Sequence, residues 1–591
     1  MRPYVQLLRH NQSATCGLDC LALPRARRPW PWPRSTTAFT KRGLLLLATR
    51  VAATPEERVC SFEPSAWTDF FIQYDPDLHQ DQISEQCMRV KADKLKKNVN
   101  VLFNTFNGTL VDKMILLDAL QRLGIDHLFQ EQINTAMQEI HKSEFNSCSL
   151  YEVALRFRLL REHGLWVSLD VFDNFKGEDG TFHKDITNEP RGLLSLYNAA
   201  YLSIHGESEL DEAVSFASRH LESMKSSLKY PLSEQVKRNL EIPLPRTLKR
   251  INVPYYIEEY KEEQACNLSL LELAKLDFNL LQRLHQKELK AFCRWGNDLY
   301  KEVGLTNTRH RVVECYFWSY IGFYEQPYGR ARIILAKIIV LVSLLDDIFD
   351  MHATLEDSRK LNEAIQRWDE SAILLLPEYL KNYYVRLMNT FAAFDDELKR
   401  DQKYRVAYCR KAFQTLCRHH QQESEWFYSN HIPSFEDHVK CSIVSTGTPT
   451  IFLGSLIGIG DEATEEAFKW AIGCTDAVKA CGEVARFMDD MAAFKEGKNK
   501  MDVASSVDSY INQYHVTSDQ AFAVLDNLVE DAWKTTNQTR FDRRAILPLV
   551  NRIACFTKSM AWLYRDKTDR YTFSRGDKDM MKQQLVEPIL L

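Results

Sequence analysis

The stretch that most restricts the fold is Ile333–Asp357, IILAKIIVLVSLLDDIFDMHATLED. Between Ile338 and Leu345 only Ser343 is polar, so a helix here is apolar all round and belongs inside a core. It runs directly into three carboxylates. Asp346 and Asp350 are four residues apart and share a helix face, with Asp347 about 100° round from Asp346. Like charges at the end of a buried helix repel and lose hydration unless cations compensate them. Oxygen donors in this pattern suit a hard divalent ion, Mg2+ with a phosphate-bearing substrate. A solvated acidic helix face is the alternative, and the rest of the chain decides.

At 591 residues the chain exceeds one hydrophobic core, which predicts two domains. Gly (21) and Pro (19) are sparse, and charged–apolar segments recur at helical spacing, so the class is expected to be all-α. The net charge of −5, with no basic block, argues against a nucleic-acid partner. The 14 cysteines form no CxxC pair and no zinc-spaced group, and read as reduced core residues. The best apolar run, Ile333–Leu345, contains Lys337 and fits a buried helix, so no membrane span is expected.

Residues 1–55 carry basic residues from Arg2 to Arg50 against one acid, Asp19, with PWPWP at Pro29–Pro33. This is the composition of a transit peptide or a disordered extension. Residues 56–266 form a first series of amphipathic helices, among them Leu110–Leu123, Tyr151–His163 and Gly192–Ile204, with a polar turn at Lys176–Asn188. Residues 267–591 form a second block that opens with a strong amphipathic helix, Leu270–Trp295, and carries a polar loop at Tyr564–Lys578.

Arg309 and Arg311, flanking His310, precede the helix VVECYFWSYIGFYE. Two arginines at one mouth hold a diphosphate bidentately and stay charged at any cellular pH. A solvated RxR is the alternative. Trp318 lies along that helix, where an indole face stabilises a cation without attacking it, or simply packs. A second acidic group, GEVARFMDDMAAFKEGKNKMDVASS (Gly482–Ser506), places Arg486 three residues before Asp489, on one helix face. Together these pieces suggest metal ions held by two acidic helices, a diphosphate leaving with Lewis-acid help, and a carbocation in a dry aromatic pocket.

The chain resembles a plant terpene synthase of the sesquiterpene (cyclase) type. RVCSFEPSAW (Arg58–Trp67), VALRFRLLREHG, RGLLSLYNAAYLSIHGE, LAKLDFNLLQRLHQKEL, RHRVVECYFW, YGRARI, DDIFD and VASSVDSYINQYHVT carry the likeness in order and spacing, from Glu57 to the end. The resemblance implies an N-terminal α-barrel-like helical domain and a C-terminal class I terpenoid synthase domain. It implies three Mg2+ ions, with Mn2+ as substitute, and a monomeric enzyme that ionises and cyclises farnesyl diphosphate. By position it assigns the diphosphate to Arg309, Arg311 and Arg486. Asp346 and Asp350 become metal ligands on one wall, with Asp347 adjacent, and Asp489 becomes one on the other. Trp318 falls on the cavity floor, and Tyr564, Asp569 and Tyr571 on a lid that excludes water. SIVSTGTPT (Ser442–Thr450) matches a broken helix, for which Gly447 and Pro449 give a physical reason.

One departure stands out. In the family's second metal motif, Ala493 occupies a position usually held by a hydroxyl or Gly, and Gly497 a position usually held by Glu. Glu496 is one residue off and could substitute, as could water. Two competing readings follow: a weakly active or catalytically dead homologue, and a plastidial monoterpene synthase using geranyl diphosphate. The single Arg58, in place of a paired arginine, argues for the cytoplasmic sesquiterpene type.

Overall fold

The computed structural model describes residues 62–74, 84–178, 180–496 and 504–591. Among these the regular elements are helices, apart from an isolated antiparallel bridge, Lys176–Phe182, in the expected polar turn. The observed class is all-α. The extension 1–55, Arg58 and Gly497 lie outside the described residues.

The helices sit where the 3.6-residue pattern places them, with ends set by caps. Leu110–Arg122 opens on a capping box between Thr109 and Asp112. Leu150–Glu162 opens on Ser149. Pro190–Ala200 takes Pro190 in its first turn and stops short of Ile204.

A long helix, Leu268–Val303, is the joint of the molecule. Asn267 caps its start and Gly304, at φ +69°, ends it. Its first half, Leu270 to Phe278, packs with Met114, Phe157 and Leu160 of the N-terminal core. Its second half, Leu281 to Val303, packs with Tyr316, Leu335 and Phe391 of a larger second core, which Trp67 and Phe71 also enter. Sharing one helix, the two cores form a single compact unit, Ala52–Leu591. The 266/267 boundary falls just before this helix.

The aspartate helix, Gly329–Asp347, lies inside the second core, with Leu335, Ile338, Leu341 and Leu345 fully buried. Lys337 lays its ammonium over the rings of Trp295 (5.3 Å) and Phe394 (6.0 Å), and burial pushes its pKa down. Packed against this helix is Thr448–Gly458, which a break at Thr446–Gly447 parts from the preceding helix, Phe435–Ser445. Gly447 has φ +75°, and a Cβ there would also meet Val342 of the aspartate helix at 2.7 Å. Pro449 has no N–H, so the Ser445 carbonyl receives no bond from the residue four ahead.

The segment Phe435–Gly458 is, against expectation, long and apolar enough to cross a membrane by composition. It is broken in the middle, and 83% of its apolar window is buried inside the protein. Its hydropathy is explained by that burial.

Candidate active site

The aspartate helix ends at Asp347 and widens into a π-helical turn, Ile348–His352, closed by the Ala353 N–H donating to the Ile348 carbonyl. Asp350 therefore lies on a wider turn than the expected α-helical stack. The two halves of the acidic pair part company. The Asp346 side chain is 31% exposed, whereas that of Asp347 is 1% exposed. Arg309 explains the difference. Its Nε donates to Asp347 Oδ1 (2.6 Å) and its backbone N–H to Asp347 Oδ2 (2.7 Å), while Nη2 reaches Asp346. Burial opposes the guanidinium charge, but Asp347 and Asp346 outweigh it and hold Arg309 ionised. Asp347, adjacent to the expected metal ligands and grouped with them as a catalytic candidate, is buried and holds Arg309 in place.

The second acidic helix, Asp476–Lys495, repeats the arrangement. Asp489 is 16% exposed and accepts from Arg486 Nη1 at 3.4 Å. Asp490 is 4% exposed. It accepts from Arg486 (3.2 Å), from His438 Nε2 (3.3 Å) and from the Ser506 N–H (2.6 Å) and hydroxyl. Burial opposes its charge, yet Arg486, His438 and Ser506 hold the Asp490 carboxyl well below the usual carboxylate range. Ala493 presents only a methyl and is 8% exposed. Glu496 does not fill in for it in this arrangement: its Oε1 accepts the Asp569 N–H at 3.3 Å, turned to the C-terminal loop.

A chain of contacts joins the two walls through residues that the sequence reading missed. His420 Nδ1 lies 4.0 Å from Asp346 Oδ1 and 3.7 Å from Glu423 Oε2. Glu423 Oε1 accepts from the Ser445 hydroxyl at 2.6 Å. Arg486 Nη2 lies 3.5 Å from Ser445 Oγ, and its Nε donates to the Ser442 carbonyl at 3.4 Å. The broken helix is thus pinned to the second acidic helix at its break. His420 and Glu423 lie on Tyr404–Tyr428, and His420 stacks on Phe349 at 5.4 Å. Burial pushes the His420 pKa down, against the pull of Asp346 and Glu423. The only sequence signal for them was a polar HHQQES run inside a helix with an apolar face.

Arg311 is not where a diphosphate ligand would stand. It is 1% exposed, and its guanidinium donates to the carbonyls of Tyr571 (3.3 Å), Thr572 (2.7 Å), Glu63 (3.0 Å) and His310 (3.3 Å). Trp318 is half-buried, donates Nε1–H to Ser559 Oγ (2.9 Å) and faces Tyr571 at 5.4 Å between ring centres. Tyr571 donates to Ser343 Oγ (2.8 Å), three residues before Asp346, and its ring lies 5.8 Å from the Arg309 guanidinium. Tyr564 is half-buried at the end of Leu547–Leu563. Asp569 is used locally: Oδ1 accepts the N–H groups of Tyr571 (3.0 Å) and Thr572 (2.9 Å). In the expected lid region it shapes this turn. The loop before it carries Asp566 and Lys567 at positive φ, 61° and 55°.

Two walls of paired carboxylates, each with its arginine, under an aromatic C-terminal loop are what the resemblance leads one to look for. Residues 66–240 match the family description "Terpene synthase, N-terminal domain", and residues 297–535 match "Terpene synthase family, metal binding domain". The chain is 52% identical to tau-cadinol synthase of Zea mays over 538 residues, covering 90% of this chain and 98% of that one. The chain belongs to the terpene synthase family. It is also 49% identical to alpha-copaene synthase of Zea mays over 540 residues, 89% of this chain and 99% of that one. Among solved structures, isoprene synthase from grey poplar, in complex with three Mg2+ ions and dimethylallyl-S-thiolodiphosphate, aligns with a TM-score of 0.78. It is 28% identical and covers 85% of this chain and 98% of that one.

A divalent metal belongs to terpene synthases of this class. The first wall of this chain fits it, since Asp346 and Asp350 offer hard oxygen donors at the mouth of a buried helix. The second wall fits in part: Asp489 offers a carboxylate and Ala493 none. Among the described residues no three His, Cys, Asp or Glu side chains converge as ligands of one ion.

Proposed function

We propose that this terpene synthase is a sesquiterpene synthase that takes farnesyl diphosphate, releases the diphosphate and cyclises the resulting cation. The observation that carries this reading is the pairing of the two walls. On each, the first carboxylate of the pair (Asp346, Asp489) is the more exposed one, and the second (Asp347, Asp490) fixes the local structure. Relatives that are sesquiterpene synthases support the choice of substrate length.

Asp346, Asp350 and Asp489 would hold the metal, with three Mg2+ as the family number. Bound there, the ions would supply Lewis-acid help to the departing diphosphate. The chain's own residues do the rest. Arg309 and Arg486 carry fixed positive charge beside each carboxylate pair and take up the charge of the leaving group. Trp318 and Tyr571 give aromatic faces that tolerate a cation. Tyr571, tied to Ser343, closes the site against water.

The second reading, a weakly active or inactive homologue, rests on one observation, the buried Ala493 methyl at a usual ligand position. One experiment separates the readings. Purified protein is incubated with Mg2+ and, in parallel, geranyl, farnesyl or geranylgeranyl diphosphate, and the volatiles are resolved by gas chromatography. C15 products from farnesyl diphosphate are expected. Product from geranyl diphosphate alone would move the assignment to a monoterpene synthase, and no product at any Mg2+ concentration would favour the inactive homologue.

A further inference from the structure

The helix Val312–Gly322 and the residue that starts it, Arg311, devote one whole stripe to a single C-terminal segment. Arg311, Glu314, Cys315 and Trp318 stand at i, i+3, i+4 and i+7, which is one helix face. All four touch Tyr571–Ser574. Arg311 donates to the Tyr571 and Thr572 carbonyls. Glu314 Oε1 accepts from Ser574 Oγ at 2.6 Å. Cys315 Sγ lies 3.5 Å from Tyr571 Oη, and the Trp318 ring faces the Tyr571 ring. Arg311 also holds the Glu63 carbonyl, so one buried guanidinium ties the backbone at Glu63, the stripe and the C-terminal segment together.

We propose that Arg311 is a positioning residue that latches Tyr571–Ser574 over the active site and keeps water from the cation, and that it is not a diphosphate ligand. The inference rests on the sesquiterpene reading only for what the latch protects. Arginine suits the task because its planar fork offers five fixed donors, here directed at carbonyls of several segments. A lysine ammonium offers a single point and fewer directions. The site keeps its phosphate-facing charge at Arg309, which lies against Asp346 and Asp347. Tyr571 links the two arginines: its carbonyl is held by Arg311 and its ring lies against Arg309.

Two measurements on the full chain test this. The first is hydrogen exchange without substrate, in wild type, Arg311→Gln, Arg311→Lys, Ser574→Ala and Arg309→Gln. Loss of charge-assisted bonds of this kind is expected to raise exchange across residues 569–574 about tenfold or more in Arg311→Gln. Arg311→Lys recovers part of the protection, Ser574→Ala gives a smaller rise in the same segment, and Arg309→Gln, which meets the segment only at the Tyr571 ring, raises it less than Arg311→Gln does. The second is product partition with farnesyl diphosphate: in Arg311→Gln the share of water-captured alcohols rises while KM holds, whereas Arg309→Gln loses turnover. Unchanged exchange in Arg311→Gln, or a raised KM with an unchanged product ratio, would overturn the latch in favour of a diphosphate role. Should Arg311→Gln not fold, the lysine and Ser574→Ala variants decide by the same exchange. A wild type that makes no terpene sinks the sesquiterpene reading, while the exchange experiment still decides the latch.

Discussion

Replacing Asp489 and Asp490 one at a time by Asn is expected to separate chemistry from structure on the second wall. The two side chains are adjacent, yet only Asp490 is buried, and it alone collects His438 and the Ser506 N–H and hydroxyl along with Arg486. Asn keeps the shape and an acceptor but removes the charge. It leaves a buried Arg486 short of its partner, a loss that costs about 3 kcal/mol. Asp489 is more exposed and meets Arg486 at 3.4 Å, so Asp489→Asn should cost less than about 1 kcal/mol. Urea unfolding of both variants, read by midpoint at equal slope, measures the difference. In parallel, Asp489→Asn should lose product formation at limiting Mg2+. Because the Asp490 carboxyl is held below the usual range, its stabilisation is full above the unfolded value and declines as pH falls below roughly 4. Equal destabilisation by the two substitutions, or an Asp490→Asn protein as stable as wild type, would refute the division of labour.

Further outcomes are expected elsewhere. A Cβ at Gly458 would lie 2.5 Å from the Ala331 Cα and N. Gly458→Ala must therefore push the broken helix off the aspartate helix, costing about 1–3 kcal/mol and seen as a lowered Tm together with lower turnover. His127 Nε2 pairs with Asp277 at 3.3 Å; burial opposes its charge, but Asp277 wins and its pKa is raised. That pair's stabilisation is full below about pH 6.5 and is lost as pH rises through the raised value, so His127→Gln should flatten this part of the stability–pH curve. Restoring the family ligands with Ala493→Ser and Gly497→Glu should lower the Mg2+ concentration needed for half-maximal turnover, and an unchanged Mg2+ dependence would count against the second wall as a metal site.

Much of this molecule was legible in residue order. The apolar run from Ile338 to Leu345 required a buried helix, and the structure buries it. The helices around Leu110, Tyr151 and Leu270 followed from periodicity, with ends corrected by Thr109, Ser149 and Gly304. Hidden from the sequence was which carboxylate of each pair turns inward. Asp347 and Asp490 are set apart from their neighbours by bonds from residues distant in the chain, the Arg309 Nε and backbone N–H on one wall and Ser506 with His438 on the other. The same holds for Arg311, since an RxR pair looks alike whether its arginines meet phosphate or carbonyls. His420 and Glu423 sat unremarked in a polar run, because their meaning arises only where Asp346 and Ser445 approach them. The π-helical turn at Ile348–His352 likewise left no mark in the residue order.

In the proposed function the first carboxylate of the first pair carries the chemistry while its neighbour builds the site. Product formation from farnesyl diphosphate in wild type, Asp346→Asn and wild type with Mg2+ chelated tests it most directly, with each protein first shown to be folded. Sesquiterpene is expected from wild type with Mg2+, and neither from Asp346→Asn nor after chelation. A folded Asp346→Asn enzyme that turns over at the wild-type rate, or product that persists without divalent metal, would contradict it.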